Sequence, residues 1–367
     1  MAVTKHVDRT LLGIVLALVV FGFFVFSSAS LGLLAREGAR FSSVAFSQIM
    51  FGVIGGGLGL FITSSIHYRV WRKYALGIFI FGLILTLLVF TPLGFEHGGA
   101  QRWVHLGGFS FQPSEFLKIA YVIYIATWLS GTHKHITTFK HGTLPFVLIT
   151  GLVGLLLLAQ PDTDTFLLLG MAGLAMFISA GGSWRDVALM LLAGIVMLAI
   201  LALTRPYIMD RLLTFVDPNV DPQGSSYQIK QSMIAIGSGG IAGRGFGQSI
   251  QKFEYLPEPI GDSIFAVYAE EFGFIGTSLL VILLSFFTFR GFRIATHASD
   301  VFGMLLVVGF MTLIVTQAFL NIGSMVALAP LMGLPLPFIS HGGTAMMALL
   351  ISVGIVLNVS KYQKKRI

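Results

Sequence analysis

Apolar stretches of about 20 residues, the length that carries an α-helix across the hydrocarbon core of a bilayer, recur along this chain from end to end. They fall at 11–34, 44–63, 74–93, 113–130, 143–159, 162–181, 186–203, 262–289, 301–328 and 343–359. No soluble core takes up that many runs of that length. The sequence therefore predicts an all-α polytopic membrane protein: one domain over 1–367, a bundle of ten transmembrane helices, with a long extracytoplasmic loop at about 205–261 between the seventh and eighth. Charged residues make up 11% of the chain, against about 25% in an average soluble protein, which points the same way. Small residues at Ser27, Ser28, Ala29 and Ser30 resemble a signal-peptide cleavage site. The apolar run before them is too long for one, however, so the first segment is read as an uncleaved span.

A net charge of +7 would suggest a nucleic-acid partner in a soluble chain, but here it must first be sorted by membrane side. With both termini cytoplasmic, the inner side collects Lys5, Arg9, Arg69, Arg72, Lys73, Lys134, Lys140, Arg185, Arg290, Arg293, Lys361, Lys364, Lys365 and Arg366, fourteen of the 23 Lys and Arg residues. The short outer connections hold only Arg36, Arg40 and Arg102, while Arg205, Arg211, Lys230, Arg244 and Lys252 lie in the long outer loop, which the bias does not govern. The basic balance is topological, and no nucleic-acid partner is implied. The tail from Lys361 reads as an anchor to the inner leaflet. The chain has no cysteine, which excludes disulfides and thiolate chemistry. His133, His135 and His141 share one inner loop without a carboxylate and read as solvated, not metal-binding. Gly52 with Gly56 and Gly55 with Gly59 form small-residue pairs that suit close helix packing.

Several polar groups stand at the edges of spans. Pro113 suits the first turn of the fourth span. Behind it, Glu115 and Lys118 are three apart on one helical face, where each offsets the other's charge. Two readings stand: a structural ion pair, or a positive group that, with Arg102, faces an anionic substrate. Gln160, Asp162 and Asp164 form a polar turn between the fifth and sixth spans, read as helix capping or as part of a polar cavity. Pro330, Pro335 and Pro337 with Gly342 and Gly343 break the chain before the last span, fixing an extended loop that could wall a groove. Within the long loop, 227–236 is apolar enough for an interfacial or re-entrant helix. The glycine-rich run that follows at 237–247 lacks the strand and the GK[ST] of a nucleotide motif, so it reads as plain loop or as backbone able to approach a head group closely.

The seam at 252–271, KFEYLPEPIGDSIFAVYAEE, is where a proline-broken polar loop enters the eighth span. Asp262 sits at the entrance, and a carboxylate there is costly to keep charged unless something pairs or uses it. Glu258 is four residues earlier, but Pro259 and Gly261 intervene, so the two are not read as a carboxylate dyad. Glu270 and Glu271 lie about 12–14 Å further along a regular helix and are read as structural, paired with basic residues that the sequence does not identify. A single carboxylate suffices as general base for one displacement at a sugar carbon, whereas a double displacement needs a second as nucleophile.

The run QSMIAIGSGGIAGRGFGQSIQKFEYLPEPIGDSIFAVYAEEFGFIG, with QRWVHLGGFSFQPSEFLK, QPD and GLPLPFISHGGT, resembles the SEDS proteins, the FtsW, RodA and SpoVE group, along the whole chain. GQSIQKFEYLPE is more similar to the FtsW and SpoVE side than to RodA. Two departures stand out: Ile260-Gly261-Asp262 where the family commonly has His-Thr-Asp, and His341-Gly342-Gly343 where it commonly has Tyr-Gly-Gly. The aspartate is kept and its neighbours are not. The resemblance implies a peptidoglycan glycosyltransferase polymerising lipid II at the outer face of the bacterial cytoplasmic membrane, in septal synthesis, beside a class B penicillin-binding transpeptidase and other division proteins. It implies Asp262 as general base. It leaves Lys118 foremost, with Arg102, Arg211 and Arg244, to meet the charge of the leaving pyrophosphate, with or without a divalent cation, Mg or Mn. Alternatives are a lipid II flippase, a scaffold without chemistry, and a RodA-like elongation polymerase.

Overall fold

The computed structural model describes residues 6–36, 38–97, 100–106, 109–217 and 224–363. Lys5, Lys364, Lys365 and Arg366, and the side chains of Arg36, Arg40 and Lys134, lie outside the described residues.

In chain order the helices are α1 (Arg9–Arg36), α2 (Gly38–Ser47), a π-helical segment (Gln48–Gly55) running into α3 (Gly56–Ser65), α4 (Arg69–Leu87), α5 (Pro113–Thr132), α6 (Leu144–Ala159), α7 (Thr163–Ser179), α8 (Trp184–Thr204), α9 (Pro206–Val216), α10 (Ser225–Gly239), α11 (Gln251–Glu254), α12 (Ile264–Thr296), α13 (Val301–Met325) and α14 (Gly343–Ser360). Among the described residues, eight helical stretches are long and apolar enough to cross a membrane. α7 is a shorter apolar helix, and α5 carries Glu115 and Lys118 within its 20 residues. Between α4 and α5 lies a small antiparallel sheet, with β1 (Gly94–His97), β2 (Ala100–Leu106) and β3 (Phe109–Phe111) in the order β1-β2-β3.

α13 is the hub, packed against α5, α7, α12 and α14. α14 lies along α3 because glycines clear the way: a Cβ on Gly56 would stand 2.7 Å from Leu350 Cδ1, and one on Gly59 2.6 Å from Ile351 Cγ1. The small-residue pairs thus act in packing. Thr63 Oγ1 donates to Ile351 O at 3.1 Å across the same seam. α8 by contrast turns Leu189, Leu192, Ile195 and Leu203 outward, as a lipid-facing helix does.

Two expectations need correction. Among the described residues of 205–261, α9, α10 and α11 are helical where a long loop was expected, α10 covering the 227–236 segment already read as a helix, and Pro206 opens α9 at its first turn. The helix after Asp262 is not regular either. It begins at Ile264 and breaks at Gly273, where φ is 63° and ψ −163°. The break unhooks backbone groups that cannot stay unpaired in an apolar setting, and the glycine-rich run supplies their partners. Arg244 N donates to Glu270 O at 3.0 Å and Gly245 N to Glu271 O at 2.9 Å, while Phe274 N and Ile275 N donate to Gly240 O and Ile241 O at 2.9 and 3.1 Å. The glycines allow backbone to approach backbone. That explains the run without a ligand.

Candidate functional site

Several of the polar residues singled out above meet around the turn before α12 and the groove beside α5 and α13. Asp262 lies in the turn just before α12, outside the apolar span, and keeps partial access to solvent. Its Oδ1 accepts from Gln228 Nε2 on α10 at 3.3 Å, and the same amide donates to Ser263 Oγ at 2.9 Å. From the other side, Asn321 Nδ2 on α13 donates to Asp262 O and to Leu334 O, each at 2.7 Å. Ser340 Oγ donates to Gly261 O at 2.6 Å, and His341 N to Ile260 O at 2.7 Å, so the two departures from the motif touch each other. The turn is therefore tied to α10, to α13 and to the proline-rich loop before α14. Desolvation, with Glu258 close by, pushes Asp262 up from 3.8 to about 7, while the Gln228 amide, Asp262's own backbone N–H and the Arg211 guanidinium pull the other way.

Beside this turn runs a groove of about 550 Å³, its open mouth included, lined by Glu115, Lys118, Gln317, Pro335, Pro337 and Gly342 among others. Lys118 Nζ is 2.9 Å from Glu115 Oε1 and 3.4 Å from Gln317 Oε1, and Gln317 Nε2 donates to Pro335 O at 2.8 Å. Gln317 and Asn321 are one turn apart on α13, so a single helix face carries the contacts of both Lys118 and Asp262. Pro335 and Pro337 wall the groove; Gly342 N donates to Gln48 Oε1 at 3.0 Å, and a Cβ on Gly343 would collide with the Ser47 backbone. Pro113 opens α5.

The arginines divide. Arg211 NH1 holds both oxygens of Asp164, at 3.1 and 3.0 Å, and Asp164 Oδ2 also accepts from Gly333 N at 3.1 Å. Arg102 donates to the carbonyls of Gln160 and Pro161 and stands 3.9 Å from Asp162 Oδ1. Asp162 caps α7, accepting from Thr165 N and Ser114 Oγ, while Gln160 Nε2 donates to Thr86 O at 3.0 Å. Arg244 is 3.4 Å from Glu270, about 9 Å along α12 from its first residue, Ile264, and does not line the groove.

Glu270 and Glu271 have the partners that the sequence left unnamed. Glu270 accepts from Ser249 Oγ at 2.6 Å and from Ile250 N and Gln251 N. Glu271 is 2.7 Å from Lys252 Nζ and accepts from Ser28 Oγ of α1. Lys252, placed in an outer loop by sequence, is fully buried. Reading the sequence also missed Gln228, Gln317, Asn321 and Ser340. Two amides four apart inside an otherwise apolar span were the available signal for Gln317 and Asn321; nothing marked Gln228. Among the described residues no three His, Asp or Glu side chains cluster to hold a metal ion.

Comparison with known proteins gives a consistent answer. The family model for cell cycle proteins of the FtsW, RodA and SpoVE type matches residues 8–365. Stage V sporulation protein E of Bacillus subtilis (strain 168) is 38% identical over 318 residues, covering 86% of this chain and 87% of its own length. A probable peptidoglycan glycosyltransferase FtsW from Geobacter sulfurreducens is 36% identical over 357 residues, 97% of this chain and 95% of the relative. Among solved structures, one described as structural coordination of polymerization and crosslinking by a peptidoglycan synthase complex aligns with a TM-score of 0.79 at 27% identity, covering 98% of this chain and 99% of that one. The crystal structure of the Thermus thermophilus rod shape determining protein RodA aligns with a TM-score of 0.71 at 26% identity, with 98% of each chain covered. With the match running almost from end to end and the helical frame shared, the chain belongs to the FtsW/RodA/SpoVE family of cell cycle proteins.

Proposed function

We propose that this protein is a peptidoglycan glycosyltransferase that polymerises lipid II, with Asp262 as general base. The observation that carries the reading is a carboxylate with partial solvent access, pushed up to about 7, on a turn clamped beside a groove that holds a lysine. A base with its pKa near the operating pH is suited to taking a proton from a hydroxyl. As the acceptor sugar hydroxyl attacks the anomeric carbon of the donor, its proton passes to Asp262. The bond from that carbon to the lipid pyrophosphate breaks, and the leaving oxygen keeps the electron pair. Lys118 at the groove wall and Arg211 near Asp262 supply positive charge where that negative charge develops. Glu115 and Asp164 hold those two cations in place.

The same reading sets the orientation. Ten crossings are supported by how the ends pair: Asp8 with Arg290, Arg69 with Asp300, Thr143 with Asp186, His133 with Ala180 and Ser64 with Asn358 join helix ends remote from Asp262. Those ends carry most of the Lys and Arg residues, so they face the cytoplasm and Asp262 faces outward in the bacterial cytoplasmic membrane. The likeness to a peptidoglycan synthase complex supports a class B penicillin-binding transpeptidase as partner, and the FtsW and SpoVE relatives support a septal role with other division proteins. The test is purified protein carrying Asp262→Asn, shown to be folded and still bound to its transpeptidase, supplied with lipid II. It should make no glycan polymer, and polymer at the native level would refute the reading.

A further inference from the structure

We propose that Gln228 is a positioning residue for Asp262, its amide engaging one carboxylate oxygen so that the other is presented to the acceptor hydroxyl. The inference rests on Asp262 being the base. Among the described residues Gln228 is the one side chain that donates to this carboxylate, and it does so to Oδ1. Asp262's own backbone N–H also engages the carboxylate. The amide has two N–H groups in one plane. One reaches Asp262 Oδ1 and the other Ser263 Oγ, which fixes the amide against the first residues leading into α12. Ser263 is itself buried, so the anchor does not shift with solvent.

α10 is built to hold that amide still. Ile229, Ser232 and Ala235 are buried, the helix packs along α12, and Ser232 Oγ lies 3.4 Å from Met325 Sδ at the end of α13. Its C-terminal end leads directly into the backbone exchange with the broken part of α12. Gln228 is thus carried by an element fixed at both ends to the helix that follows Asp262. The groups that bear on the carboxylate are few. Glu258 and Asp262's own backbone N–H come from its own turn and Arg211 from α9, the last held by Asp164 of α7. α13 presents the neutral Asn321, the loop before α14 brings His341 against Ile260, and α10 itself carries Lys230 two residues beyond Gln228.

A plain docking contact and a positioning contact differ in what pH does to them. A donor to the charged carboxylate favours the ionised base, so removing it moves the rising limb of activity to higher pH. The experiment is the pH profile of lipid II polymerisation by purified full-length protein, comparing native, Gln228→Met, Gln228→Glu and Asp262→Asn. Gln228→Met should lose about tenfold in kcat at neutral pH, the scale of one hydrogen bond to a charged group, with KM for lipid II little changed and activity recovering as pH rises. Gln228→Glu should push the limb further up, since it adds a negative charge. An equal loss at every pH, or a limb that does not move, overturns the inference. Should Gln228→Met fail to fold, Gln228→Asn keeps the amide but draws it back, and an upward shift of the limb is again required. Asp262→Asn separates the two failures: if it still polymerises, the base itself is misassigned, whereas if it is dead and the Gln228 variants keep the native limb, only the positioning role falls.

Discussion

Lys252 Nζ stands 2.7 Å from Glu271 Oε1 with neither side chain exposed, which makes this a salt bridge sealed inside the fold. The lysine also donates to Ser28 Oγ and Gly247 O, each at 3.0 Å, so one ammonium joins α1, the glycine-rich run and α12. Removing one partner leaves the other charge buried and alone. Lys252→Met should therefore cost about 3–5 kcal/mol, while Lys252→Met with Glu271→Leu should recover most of the loss. Unfolding in detergent, followed by temperature or denaturant, reads the difference between the single and the double variant.

Gly273 supports the same region through its backbone. At φ 63° an alanine is strained, and its Cβ would meet Gly243 N and lie 2.6 Å from Ile241 O. Gly273→Ala should cost at least about 1–3 kcal/mol and lower the yield of folded protein. Gly57→Ala is the matched control. It is helical with nothing within 4 Å of the added Cβ, so its melting temperature should match or exceed the native value.

Lys118 and Glu115 allow stability to be separated from function. Lys118→Met strands a buried carboxylate and should lower both the melting temperature and polymerisation. Adding Glu115→Gln removes the stranded charge. The double variant should then regain stability and still polymerise poorly, because the groove has lost its cation. A double variant with native turnover would mean that the pair only holds the helix, the first of the two readings that its spacing allowed.

What could be read in advance follows the range of the forces. The spans were legible because apolar length is local, and Glu115 with Lys118 because helical spacing puts i and i+3 on one face. Asp262 was legible because a carboxylate at the entrance to a span is conspicuous on its own. Lys252 was not: its partners Ser28 and Glu271 come from distant elements, and in the sequence it sits in a polar stretch that looks solvated. The Gly273 break was hidden as well, since a glycine within an apolar run does not disturb its hydropathy. The sheet of β1, β2 and β3 and the Gln228 contact depend on tertiary docking, which periodicity does not record.

The pH dependence of the native enzyme is the most direct check on Asp262. A general base works deprotonated, so polymerisation should rise as pH passes upward through about 7, rather than near the 3.8 of a free carboxyl. Burial is the larger cause of the shift and Glu258 the second. Glu258→Gln removes a like charge, which favours the ionised form, so the limb should move down in pH without reaching the range of an exposed carboxylate. Arg211→Met removes an opposite charge and should move it up. The profile of each variant, taken as kcat/KM for lipid II so that it reports the free enzyme, reads these directions. If Glu258→Gln and Arg211→Met leave the limb where the native enzyme has it, the group that titrates is not Asp262.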